Sequence, residues 1–346
     1  MRDYKGKRVY IGIDVHKKTY AVTAISEGEI VKRDTILATP EELVQYINKF
    51  FPNAEVYTAY EAGFSGFYLH RCLIKNQINN IVVHPASIEV AARDRVKTDK
   101  RDSLKIAKQL TAGRLRGIHV PSEEREQHRA VTRTRDTLMT HRKRIGNQLK
   151  SLLFFHGLIR PDDDSKTSRK WIKQIQKLDV GEELKYCIDL YAEEWLRLET
   201  KLKEILKKLE GQAKKDEAID LVYRAVPGIG ALSARILSNE LEMMDYFENE
   251  KQLFSYTGLT PSEYSSGEHR RQGHISRQGK PILRKLLIQI AWRAIEKEAT
   301  LSAAFERISK KAGKKRAIVA IGRKLIGQIR STFQTGEIYR VTAISH

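Results

Sequence analysis

The sequence predicts an α/β domain at the N-terminus, a long helical hairpin after it, and a smaller, mainly α-helical C-terminal unit. Three observations carry this reading. Residues 1–120 alternate short apolar runs with amphipathic stretches, the pattern of strands and helices in turn. Residues 121–215 are sparse in glycine, dense in charge and periodic at helical spacing. Residues 216–346 keep the helical spacing but break it with glycine-punctuated turns.

In the first region Val9–Val15 reads as a strand, Tyr20–Ser26 as the next, and Glu27-Gly28 as the turn leading to a third at Val31–Leu37. Thr39-Pro40-Glu41-Glu42 opens a helix, with Thr39 as N-cap and Pro40 in the first turn. Val56–Tyr60 predicts a strand, Ser65–Asn76 a helix and Ile81–His84 a short strand, giving a mixed sheet. Lys97-Thr98-Asp99-Lys100-Arg101-Asp102 opens a further helix. In the second region Val131, Leu138, Ile145 and Leu152 recur every seven residues, and Tyr191, Trp195, Leu198, Leu202, Ile205 and Leu209 alternate four and three. The second series is an a/d seam, so the region reads as an antiparallel hairpin or coiled coil, within one chain or between subunits, broken at Pro161-Asp162-Asp163-Asp164-Ser165.

The 346 residues suffice for two or three domains, and 41% hydrophobic content can bury real cores. Lys plus Arg number 63 against 43 Asp plus Glu, a net charge of +20, which favours a phosphate polyanion. The two cysteines, Cys72 and Cys187, have no neighbours at metal-ligand spacing, which argues against a zinc site or a disulfide framework and suits a reducing cytosol. The first residues lack the apolar core of a signal peptide, and Leu283–Ile295, the longest apolar candidate, is interrupted by Arg284, Lys285 and Arg293. A cytoplasmic protein without a membrane span is expected.

Four acids stand at informative places. Asp14 ends the run Arg8–Val15, Glu61 follows Val56–Tyr60, and Asp99 and Asp102 lie three apart at a helix start, hence on one face. A carboxylate buried at a sheet centre is costly without a cation. Hard divalent ions need convergent oxygens, and a metal pair suits phosphodiester chemistry. Asp99 alone would serve as a helix cap, and Asp94 and Glu89 compete for the metal role. His16 stands close to Asp14 but reads equally well as a packed or exposed residue.

Further on, Ala225-Val226-Pro227-Gly228-Ile229-Gly230 looks like the turn of a helix-hairpin-helix. Pro227, Gly228 and Gly230 would let backbone N–H groups meet a phosphate without reading bases. Thr257–Gly279 is a basic, glycine-punctuated loop with Ser265, Ser266, Arg270, Arg271 and Arg277, and Lys280-Pro281 opens the next helix. Its arginines and Lys280 suit phosphate oxygens. Its serines read from composition as turn formers, with a nucleophile beside glycine as the other reading. Lys310–Arg316 reads as a solvated basic turn.

Together Gly12–Lys17, Tyr60–Gly63, Lys97–Asp102, Val226–Gly230, Gly258–Pro261, Ser266-Gly267 and Gly273–Gly279 resemble the DEDD transposases of bacterial insertion sequences, the insertion-sequence one-ten family, over nearly the whole chain. The resemblance implies a RuvC/RNase H-like domain at 1–120, a coiled-coil hairpin at 121–215 and a C-terminal transposase domain at 216–346. It implies magnesium, with manganese able to substitute, on Asp14, Glu61, Asp99 and Asp102. It also implies a serine nucleophile at the Ser-Ser-Gly step, for which Ser266 is chosen over Ser265. The implied partners are double-stranded DNA at element ends and target, a noncoding guide (bridge) RNA, and further copies of the chain as a dimer or tetramer. The rival reading is a RuvC-like junction resolvase or structure-specific endonuclease that uses metal-activated water. A non-catalytic nucleic-acid binder is the third.

Overall fold

The computed structural model describes residues 4–89, 99–160, 165–263, 272–337 and 339. The chain divides into two compact units, Met1–Pro121 and Ser122–His346.

Unit 1 is built on a five-stranded mixed sheet. β1 (Arg8–Val15), β2 (Thr19–Ser26) and β3 (Glu29–Leu37) form an antiparallel meander. The β2–β3 turn works because Glu27 and Gly28 both take positive φ, 53° and 82°, the backbone of a tight hairpin turn that matches strand twist. α1 (Pro40–Phe50) is capped by Thr39, whose hydroxyl accepts from the Glu42 N–H at 3.2 Å. β4 (Glu55–Glu61) and β5 (Asn79–Val83) then add in parallel on the other side of β1, giving the order β3-β2-β1-β4-β5. α2 (Tyr68–Lys75) begins three residues later than its spacing predicts, because Gly66 turns the chain at φ 59° and its carbonyl accepts the Tyr60 hydroxyl at 3.0 Å.

Strand alternation sends the two faces of β1 to different neighbours. Val9, Ile11 and Ile13 are fully buried in one core with Leu43, Ile47, Leu69 and Leu73 of α1 and α2. The opposite face carries α3 (Asp99–Thr111) in a second core of Ala59, Val83, Ile106 and Leu115. Gly12 makes this close approach feasible: a Cβ there would lie 2.1 Å from the Ser103 carbonyl oxygen and 2.4 Å from the Ala107 nitrogen. The buried Thr23 and Ser103 hydroxyls, 2.8 Å apart, fix α3 against β2 as well.

Unit 2 begins with α4 (Glu123–Phe155), capped by Ser122, and returns through α5 (Arg169–Ile175) and α6 (Glu182–Lys215). α4 and α6 run antiparallel, since Arg125 meets Asp216 at 2.9 Å while Arg142 bonds Glu199. Trp195, Leu198, Leu202 and Leu209 are buried along α6. On α4 the seven-residue series is only half-buried. The stripe that is covered passes through Thr132, Gly146, Leu149 and Leu153, turned from the expected one. α5, which no period announces, plugs the far end with Trp171, Ile172 and Ile175.

The rest of unit 2 comprises α7 (Glu217–Arg224), α8 (Ala231–Leu241), α9 (Glu250–Thr257), a hairpin of β6 (Pro261–Glu263) and β7 (Gln272–Ile275), α10 (Pro281–Ile295), α11 (Ala299–Ala312) and α12 (Lys314–Thr335). They share one large core that includes Tyr223, Leu237, Leu253, Leu287, Ile290, Ile321 and Leu325. Among the described residues no helix is long and apolar enough to cross a membrane.

Candidate functional site

The acidic edge of unit 1 follows from the sheet register. Gly12 pairs with Ala59 and Ile13 with Tyr60 in the parallel β1–β4 ladder, so the next step sets Asp14 beside Glu61. Asp14 shares the face of Gly12, and Glu61 that of Ala59, by strand alternation. Both therefore belong to the side on which α3 lies. They stand at the carboxyl ends of adjacent parallel strands, where open α/β sheets hold their ligands. Asp14 is 20% exposed in its side chain, and His16 Nε2 lies 3.1 Å from its Oδ2. Asp102 precedes Ser103, the residue seated on Gly12, and accepts from Lys105 Nζ at 3.4 Å.

α3 starts at Asp99, whose side chain lies outside the described residues, as does Asp94. Glu89 is engaged elsewhere: its backbone pairs with the Gln109 side chain and its carboxylate with Arg114 Nη1 at 3.3 Å. Among the described residues no three His, Cys, Asp or Glu side chains form a metal-holding group. Asp14, Glu61 and Asp102 are the oxygen donors this edge offers, the ligand type that hard divalent cations take.

In unit 2 the predicted serine loop connects β6 to β7. Ser265, Ser266, Arg270 and Arg271 lie outside the described residues. The base of the hairpin is tightly built. Gly258 ends α9 at φ 70°, and Gly279 packs so closely on it that a Cβ at Gly279 would fall within bonding range of the Ser255 carbonyl oxygen, at 2.5 Å. Ser276 N–H donates to Thr260 O and Lys280 N–H to Tyr256 O, both at 2.8 Å. Arg277 takes φ 58° with its side chain exposed, and its carbonyl accepts from Arg284 Nη1 at 3.3 Å. Lys280 Nζ lies 5.8 Å from the Tyr256 ring centre. Desolvation pushes its ammonium pKa down, Arg133 and Arg129 add to that, and Glu240 opposes them.

The turn between α7 and α8 holds Pro227, Gly228 and Gly230. Gly228, at φ 84°, leans on α10: its Cβ would come 3.0 Å from Ala294 N and Arg293 Cβ. Gly230 caps α8 without a side-chain bond, and both it and Ala231 are exposed, so the first N–H groups of the helix open to the surface.

Sequence reasoning missed a charged network between the root of α4 and α8. Arg133 makes a bidentate pair with Glu240, 2.8 Å on each arm, and the Glu240 side chain is 0% exposed. Arg129 donates to the carbonyls of Asn239 and Glu240 and to Glu242 Oε1. Arg125 and Arg235 both bind Asp216 at 2.9 Å. Burial pushes the Asp216 carboxyl up, but the two guanidiniums outweigh it and hold it below the usual carboxylate range. Asp220 is raised, because burial exceeds the help it has from Arg235. The signal was the spacing: Arg125, Arg129 and Arg133 fall four apart and share a helix face.

Comparison with known proteins agrees with this arrangement. Residues 11–156 match the model of the DEDD transposases of the IS110 type, and residues 222–306 that of the transposase IS116/IS110/IS902 family. A putative transposase of Sinorhizobium fredii, y4qE, is 29% identical over 84% of this chain and 72% of its own. The transposase of insertion sequence IS1533 from Leptospira borgpetersenii is 28% identical over 83% and 85%. That of IS1111A from Coxiella burnetii is 23% identical over 99% and 93%.

Proposed function

The chain belongs to the IS116/IS110/IS902 family of transposases, enzymes that cut and rejoin DNA, and from that premise we propose how its own residues divide the work. Residues 1–120 form the DEDD catalytic domain, 121–215 a coiled-coil hairpin through which copies assemble, and 216–346 the transposase domain, with a helix-hairpin-helix at Pro227–Gly230. Asp14, Glu61, Asp99 and Asp102 hold magnesium. The supporting observation is the pairing of Asp14 with Glu61 at the ends of neighbouring parallel strands, on the face that Gly12 opens to α3. A divalent ion bound there offsets negative charge on the scissile phosphate and its leaving oxygen.

Ser266 is the nucleophile. Its Oγ attacks phosphorus, the Ser266 Oγ–P bond forms, and the P–O bond to one strand breaks, releasing that strand as a hydroxyl that takes the serine proton. Rejoining reverses the exchange: a strand hydroxyl attacks the phosphoserine and Ser266 leaves with its proton restored. Arg270, Arg271 and Arg277 stabilise the developing charge, and Lys280 and the uncapped α8 N-terminus hold flanking phosphates. Serine attack conserves the phosphodiester energy, which suits rejoining better than hydrolysis by water. A noncoding guide RNA pairs with donor and target DNA, and a net charge of +20 suits two nucleic-acid partners.

The test is a trapping assay with purified protein, magnesium, candidate guide RNA and labelled element-end DNA. A denaturation-resistant protein–DNA adduct is expected from the wild type and from neither Ser266→Ala nor Asp99→Asn. Cleavage without adduct that survives Ser266→Ala would overturn the serine mechanism in favour of a water-using nuclease.

A further inference from the structure

A cavity of about 380 Å³ lies between α9 and α12, lined by Glu250, Phe254, Arg323, Lys324, Gln328 and Ser331. Two of these residues carry a buried polar atom with no hydrogen-bond partner among the described residues, Arg323 Nε and Gln328 Oε1. Buried polar atoms are rarely left unsatisfied, and each such case calls for a cause. Neither atom forfeits a hydrogen bond by turning toward a ligand. Arg323 is already held flat, its Cζ 4.5 Å over the Phe254 ring. Gly327 leaves room for the Glu250 carboxylate to fold in: a Cβ at 327 would stand 2.7 Å from Glu250 Oε1.

The lining selects the ligand. Glu250 works against a simple anion, and Arg323 with Lys324 against a simple cation. The inner wall presents acceptors, the Glu250 carboxylate and Gln328 Oε1, beside a donor, Arg323 Nε. Lys324 and Ser331 are exposed at the rim, where a phosphate would sit. A planar group with two donors, one acceptor and an anionic tail fits this wall. Among nucleobases guanine has that edge, with its N1–H and N2 amino donors beside the O6 acceptor. The Phe254 ring is covered by Arg323, so the base would stack on the guanidinium plane, as unstacked bases do on arginine.

We propose that this cavity binds one unpaired guanine nucleotide of a single-stranded nucleic acid, with Glu250, Gln328 and Arg323 reading the base and Lys324 and Ser331 holding the phosphate. The proposal rests on the chain being a nucleic-acid enzyme but involves neither the acidic edge nor Ser266. Its test needs no metal and no cleavage, so it fails separately from the trapping assay.

The full chain is titrated, by fluorescence anisotropy, against labelled all-uridine RNA and all-thymidine DNA strands, and against the same strands carrying one central guanine. The guanine strand should bind about tenfold tighter, the discrimination a good two-point base contact gives. A gain in RNA alone, in DNA alone or in both identifies the strand that supplies the nucleotide. Glu250→Gln and Gln328→Leu should each cut the gain below about twofold while leaving the guanine-free strands bound as before. Glu250 is exposed and its replacement isosteric, so that variant stays informative if Gln328→Leu disturbs α12. No guanine gain in either strand, or a gain that persists in both variants, overturns the proposal.

Discussion

Adding one methyl group to Gly12 should damage unit 1 out of proportion to its size. The new Cβ would lie 2.1 Å from the Ser103 carbonyl oxygen, 2.4 Å from Ala107 N and 3.0 Å from Ala107 Cα. All three are backbone atoms of α3, so no side chain can swing aside. Restoring ordinary contact requires α3 to move about 1 Å off β1. That movement opens the core of Ala59, Val83, Ile106 and Leu115 and stretches the 2.8 Å Thr23–Ser103 hydrogen bond. Overpacking of this kind costs about 1–3 kcal/mol, and loss of the buried hydroxyl pair adds about 1 kcal/mol. Gly12→Ala should therefore lose about 2–4 kcal/mol in guanidinium unfolding followed on unit 1. The same 1 Å separates Asp102 from Asp14, and misplacement on that scale costs on the order of a hundredfold in rate. Cleavage of element-end DNA should fall accordingly while DNA binding persists. A Gly12→Ala protein as stable as wild type would refute the reasoning, because it would mean that α3 does not rest on the β1 backbone.

Other sites answer to the same physics. Gly211→Ala, on α6 with open space around it, should stabilise unit 2 by about 0.5–1 kcal/mol in thermal melts. Gly279→Ala should lose at least about 2 kcal/mol, as its Cβ would run into the backbone of Ser255, Tyr256 and Gly258, with adduct formation lost as well. Glu240→Ala leaves Arg133 without its bidentate partner and should cost about 3 kcal/mol by urea unfolding. Asp216 sits below its unfolded pKa of about 4. Its contribution is fully present above that pH and is lost as pH falls through the lower folded value, so Asp216→Asn should flatten the acid limb of the stability–pH profile. An acid limb unchanged in that variant would mean that Arg125 and Arg235 do not bias this carboxyl.

The strands were readable because a half-buried strand shows its period in a few residues: Val9, Ile11 and Ile13 alternate with smaller or more polar neighbours. The Thr39 cap was readable because hydroxyl and proline together have few other uses. The placement of Asp14 and Glu61 at strand ends was likewise local. The value of Gly12 was not, since only the partner element reveals what its missing side chain admits. α4 misled for a related reason: Val131, Leu138 and Ile145 repeat regularly, yet the residues in contact are Thr132, Gly146 and Leu149, which hydrophobicity alone does not rank highly. α5 was invisible because seven residues with Trp171, Ile172 and Ile175 carry too little period. The arginines of α4 look like a solvated face until the carboxylates and carbonyls of α8 come to meet them.

Those arginines also make α4 a lever with a fixed fulcrum. From Arg129 to Phe155 the helix extends about 40 Å at 1.5 Å per residue, whereas its width at the pivot is about 10 Å. Half an ångström of play at the root would thus be magnified about fourfold, to about 2 Å at the tip, where Phe155 is 82% exposed. That is more than half the 3.4 Å rise between successive base pairs. The clamp of Arg129 on Asn239, Glu240 and Glu242 sets the accuracy with which the distant end of the arm meets whatever it touches.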